Sequence, residues 1–146
     1  MPKTSAEIEV FVSPAEFRDV LANVAAYPEF LDEVSSVTIS KQTDTALVAC
    51  FTVAVSFGGY DVETRYTLAY DLSDPLSVRW TLVESPDLTI NQGSWTLSTG
   101  EDEDECIATY ESEIVSTLPI PLVVQEMFAK ETLPDLLDAF RDRAEG

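Results

Sequence analysis

The 146-residue chain has no histidine. That removes the commonest general acid–base side chain, the Ser-His-Asp triad and the usual zinc ligands together. Basic residues are scarce: Lys and Arg number 8 against 27 Asp and Glu, for a net charge of −19. Only Lys3, Lys41 and Lys130 are lysines. Such a surface repels phosphate, which argues against nucleic acid and anionic membrane as partners. Two origins of the acidity stay open, adaptation to high salt and a merely acidic mesophilic protein. The two cysteines, Cys50 and Cys106, lie in strand-like segments with no CxxC spacing, and read as small packed thiols. No run approaches the ~18 apolar residues of a membrane span. The start, MPKTSAEIEV, lacks a signal peptide's apolar region, so a cytoplasmic location is expected.

Hydrophobic residues make up 45% of the chain, and the length is that of one domain over 1–146. EIEVFVS alternates, with Ile8, Val10 and Val12 on one face; Phe11, on the other, needs separate cover. Ser13 and Glu16 then form a capping box with Pro14 at the first helical position. Phe17, Val20, Leu21 and Val24 follow at helical spacing, and Pro28 should end this helix near Tyr27. PEFLDEV reads as a second short helical turn. From Val34 the period changes to two. ALVACFTVAVSF places Leu47, Ala49, Phe51, Val53, Val55 and Phe57 on one face, and a Gly58-Gly59 turn follows. The next strands place Val62, Thr64, Tyr66, Leu68 and Tyr70, then Val78, Trp80 and Leu82, then Trp95 and Leu97, on that same side. The last strand adds Ala108, Tyr110, Ser112 and Ile114, leaving Glu111 and Glu113 outside. The closing segment returns to the helical period, with Val123, Val124, Met127, Phe128, Leu136, Leu137 and Phe140 as its apolar stripe around Pro134.

The expected fold is therefore α+β. A curved antiparallel sheet of about seven strands grips a long C-terminal helix, with two short helices after the first strand (β-α-α-β6-α). One helix cannot fill a wide curved sheet, so a space is expected between them. Its walls would carry Phe51, Val53, Phe57, Tyr66, Tyr70, Trp80, Trp95 and Tyr110 from the sheet, and Met127 and Phe128 from the helix. Phenol and indole tips bring polar atoms to an otherwise apolar wall, which suits a ring-bearing ligand with one or two oxygens. Asn91, Gln92 and Arg65 are the other polar candidates, with Arg65 in outward ion pairs. The acidic run at 101–105 reads as a solvated hairpin tip, since it lacks the ligand spacing and turning glycine of a calcium loop.

Three stretches in this order, SPAEFRDVLANVAAYPEFLDEV, VESPDLTINQGSWTL and TLPDLLDAFRDRAE, resemble the START-like superfamily (helix-grip fold) in its polyketide-cyclase and coenzyme-Q-binding branch. The resemblance covers nearly the whole chain. It implies binding or transport of a small hydrophobic ligand (lipid, quinone or polyketide-like) in a cavity between sheet and helix; no cofactor or metal is expected. Two alternatives stay open: a polyketide cyclase/aromatase-like enzyme, with Tyr66, Tyr70 and Tyr110 as the available proton donors, and a protein-interaction module. No catalytic set matches by motif.

Overall fold

A computed structural model describes residues 3–57, 59–117 and 121–146. The chain runs β1 (Lys3–Val10), α1 (Pro14–Ala22), a 3-10 turn (Val24–Glu29), β2 (Val34–Gln42), β3 (Ala46–Phe57), β4 (Tyr60–Asp71), β5 (Ser77–Glu84), β6 (Leu88–Thr99), β7 (Cys106–Ser116) and α2 (Leu122–Glu145). The seven strands form one antiparallel sheet in the order β1-β7-β6-β5-β4-β3-β2. Every strand from β2 to β7 pairs with its sequence neighbour, and β1 closes the far edge against β7. This is the expected helix-grip architecture.

Local chemistry explains the helix entry. The Ser13 hydroxyl oxygen accepts from the Glu16 amide at 3.2 Å and lies 3.1 Å from the Glu16 carboxylate, as a capping box requires. The break between the short helices falls at Asn23, earlier than Pro28 predicts. Pro28 sits inside the 3-10 turn rather than before a second helix. Pro28 is the fifth of the six residues of that turn, so it forgoes one i→i+3 hydrogen bond close to the turn's end. β1 ends at Val10, so Phe11 leaves the sheet and its ring is 67% exposed instead of covered. Its amide donates to the Glu145 carboxylate at 2.9 Å, tying the end of β1 to the end of α2.

Gly59, with φ at +84°, supplies the left-handed residue of the β3–β4 turn. The acidic loop 101–105 joins β6 to β7 at the surface. Cys50 and Cys106 are free thiols in β3 and β7, four strand steps apart, or roughly 19 Å at the usual spacing.

The inner face of the sheet is divided along its strands. At one end Val10, Leu47, Ala49, Val78, Leu97, Cys106 and Ala108 are buried together with Phe17, Leu21 and Val24 from the α1 region and with Leu137 and Phe140 of α2. α1 packs on β5, β6 and β7 at this end. At the other end the strands continue beyond α1, and α2 faces them together with the segment from Tyr27 to Val34.

Candidate functional site

A cavity of about 350 Å³ occupies the second end. Its walls are mostly apolar: Val53 and Val55 of β3, Val62 and Leu68 of β4, Leu88 of β6 and Ile114 of β7, with Leu133, Leu136 and Phe140 of α2 opposite. Between the cavity and the packed end lies a layer of rings. Phe51 stacks on Tyr66 at a centroid distance of 5.3 Å and leans on Tyr70 at 6.3 Å. Tyr70 meets Trp80 at 6.1 Å, Trp80 meets Tyr110 at 6.0 Å, and Tyr110 meets Trp95 at 5.0 Å. The circuit closes through Phe140 (5.5 Å from Trp95) and Tyr27 (5.3 Å from Phe140, 6.3 Å from Phe51).

One glycine makes this layer possible. Trp80 lies across from Gly93, and a Cβ there would come within 2.5 Å of the indole and 2.3 Å of the Glu111 carbonyl oxygen. The absent side chain lets the indole lie against β6 and bridge the two tyrosines.

The polar side chains of the cavity are few, and several are paired. Tyr27 donates its hydroxyl to the carbonyl of Leu21, and the Tyr70 hydroxyl donates in turn toward Tyr27. Tyr66 is hydrogen-bonded by the side chain of Asn91, a residue only 4% exposed. Thr4 and Ser112 share a hydrogen bond of 3.0 Å across β1 and β7, and Thr64 donates to Asp87 at 2.8 Å. Burial raises all four phenols, Tyr27, Tyr66, Tyr70 and Tyr110, above the usual tyrosine range. They are neutral donors at any physiological pH. None is poised to act as a base.

Seven sequence-predicted site residues line the cavity together: Phe51, Val53, Tyr66, Tyr70, Trp80, Trp95 and Tyr110. The side chains of Phe57 and Phe128 lie outside the described residues. Met127 does not line the cavity; it is 48% exposed. The reason is helical phase: Gln125, Thr132, Leu133, Leu136 and Phe140 face the cavity, and Met127, two residues past Gln125, is rotated by about 200°. Val123 is exposed for the same reason. Asn91 reaches the cavity, whereas Gln92 turns to Glu113 on the outer face and Arg65 is exposed. Ala108 shares the inner face yet belongs to the packed end, fully buried.

Sequence reasoning missed Tyr27, Thr4, Glu33 and Thr132 as lining residues. Tyr27 comes from the helical turn, and Thr4 joins only because β1 pairs with β7. The signal for Thr4 was the β1 alternation, which places it in phase with Ile8.

Among the described residues there is no group of acidic or cysteine side chains fit to hold a metal ion. No helix of the described residues is long and apolar enough to cross a membrane.

The same architecture occurs in known structures. TTHA0849 from Thermus thermophilus superposes with a TM-score of 0.80 at 17% identity, over 98% of this chain and 97% of that one. The Zhui aromatase/cyclase from Streptomyces sp. R1128 gives 0.78 at 18% identity, over 98% and 93%. A START superfamily protein from Mycobacterium smegmatis gives 0.78 at 18% identity, over 98% and 97%. These identities establish likeness of fold. No curated protein matches the sequence. The family model for polyketide cyclase / dehydrase and lipid transport matches residues 10–141, nearly the whole described sheet and helix. The chain therefore belongs to the polyketide cyclase/dehydrase and lipid-transport family of START-like proteins.

Proposed function

We propose that the protein, acting as a single START-like domain, binds a small hydrophobic ligand between its sheet and α2 and carries it rather than transforms it. The observation that carries this reading is the 350 Å³ cavity floored by a continuous layer of rings. Its size lies at the lower end of the ~300–1,000 Å³ typical of small-molecule sites. The family description includes lipid transport, which agrees with carriage. Aromatic faces favour a flat, ring-bearing guest.

The alternative, cyclase- or aromatase-like catalysis, draws on the Zhui enzyme's similar fold and on the Tyr66–Asn91 pair at the cavity wall. Ring closure with loss of water needs a group that accepts a proton. The raised phenols supply donors only, and Glu33, the carboxylate among the described wall residues, is exposed to solvent, so carriage is the better reading.

Native mass spectrometry of freshly purified protein tests the proposal. An adduct of a few hundred daltons that dissociates on denaturation supports carriage. Protein that is free of adduct and takes up no apolar molecule from an added lipid extract counts against it.

A further inference from the structure

Resting on the cavity reading above, we infer that the ligand is uncharged in its bound part: the cavity selects against carboxylate, sulfonate and phosphate groups. The argument begins with a complete account of cationic side chains. The chain has eight Lys and Arg and no His, and all eight are among the described residues. None lines the cavity. Arg143 pairs with Glu29 at 2.9 Å and lies over the Phe30 ring, and Arg141 pairs with Asp138. Arg18 donates to the carbonyl of Leu72. Arg65 and Arg79 are exposed on alternating positions that point away from the inner face, and the three lysines are exposed. The residues outside the description carry no Lys, Arg or His side chain.

Glu33, the one carboxylate among the described wall residues, is exposed and acts in the same direction. Its negative charge adds to the burial that keeps Tyr66 protonated. An anionic group entering the cavity would lose its hydration and meet Glu33 with no counter-charge. That cost weakens binding of the anionic group by orders of magnitude. An uncharged oxygen meets no such penalty. A ketone or hydroxyl can take hydrogen bonds from Tyr66, which is half-buried, and from Asn91, which is buried, side by side on the cavity wall. The inferred class is therefore a neutral, ring-bearing molecule with a carbonyl or hydroxyl oxygen. Free fatty acids and phospholipid head groups are excluded from the cavity itself.

Two dyes of one skeleton test this: 1-anilinonaphthalene, which is neutral, and its 8-sulfonate, which is anionic. Each is titrated by fluorescence into the full chain, in dilute buffer and in 1 M NaCl. The neutral dye is expected to bind at least about 100-fold more tightly, since each 1.4 kcal/mol is tenfold. The preference should survive in 1 M NaCl, where the Debye length falls to ~3 Å and the distant surface charge is screened. Ile114→Arg, at a half-exposed wall position from which a guanidinium can reach the mouth, should raise sulfonate affinity at least about tenfold. Equal affinity for the two dyes overturns the inference while leaving the cavity reading intact. So does a preference that vanishes in salt, because the surface charge would then be its source. Binding of neither dye overturns the cavity reading and this inference with it.

Discussion

Replacing Gly93 by alanine adds one methyl group at the tightest point of the ring layer. Gly93 has no positive φ, so alanine fits the backbone, and in open space it would stabilise by ~0.4–1 kcal/mol through the unfolded state. The structure reverses that sign. The new Cβ would lie 2.3 Å from the Glu111 carbonyl oxygen and 2.5 Å from Trp80. The carbonyl belongs to β7, which is paired on both sides by β6 and β1, so it cannot retreat freely. Trp80 must give instead. It then loosens its contacts with Tyr70 and Tyr110, each worth ~0.5–1.5 kcal/mol, on top of ~1–3 kcal/mol for overpacking. The net loss is roughly 2–5 kcal/mol. At this chain length a kcal/mol moves Tm by roughly 3 °C, so a fall of roughly 6–15 °C is expected. Thermal unfolding followed by circular dichroism measures it, and the near-ultraviolet spectrum reports the altered indole. A midpoint equal to or above wild type, with an unchanged near-ultraviolet spectrum, refutes the close approach of Gly93 to Trp80 and the ring layer built on it.

Ala108→Trp should destabilise by at least ~1–3 kcal/mol, because Ala108 is fully buried in the packed end and no cavity receives the ring; urea unfolding of the variant checks this. The four cavity phenols, Tyr66 half-buried and the other three buried, make stability fall in alkali. Their folded values are raised above the ordinary tyrosine value near 10, so the stabilisation is complete below pH 10 and is lost as pH rises toward the folded values. With up to four protons released on unfolding, the slope approaches about 5 kcal/mol per pH unit, and absorbance at 295 nm should show these phenols ionising only with the unfolding transition. Stability should rise with salt, since self-repulsion at −19 is screened as the Debye length falls from ~30 Å at 0.01 M to ~3 Å at 1 M; melting midpoints in dilute and molar chloride measure it.

Much of the wall was legible because a strand's period is two. Once Phe51 faces inward, Val53 and Val55 must as well, and the same holds for Tyr66 with Tyr70 and for Tyr110 with Ser112. Alternation fixes a face but not a depth along it. Ala108 and Ile114 share one face of β7, yet Ala108 lies beneath the packed end and Ile114 at the cavity. What separates them is how far α1 reaches over the sheet, a tertiary fact absent from local pattern. α2 was harder because apolar residues occur all round its first turns, so hydrophobicity alone did not give its phase. The polar Gln125 and Thr132 face the cavity, while Val123 and Met127 face out. Tyr27 was hidden because its place depends on a 3-10 turn, whose three-residue period brings it under Phe140 and beside Phe51.

The central claim is that the space above the ring layer receives a hydrophobic guest, and filling it tests that claim most directly. Val53 lines the cavity from the middle of β3 and is only partly buried. Val53→Trp places a third indole at the cavity, in its empty volume, without displacing packed atoms. Titration with neutral 1-anilinonaphthalene should give saturable binding to the wild type and at least about tenfold weaker binding to the variant, whose melting midpoint stays within a few degrees of wild type. Unchanged affinity in a folded Val53→Trp protein, or no binding to the wild type at all, would contradict it.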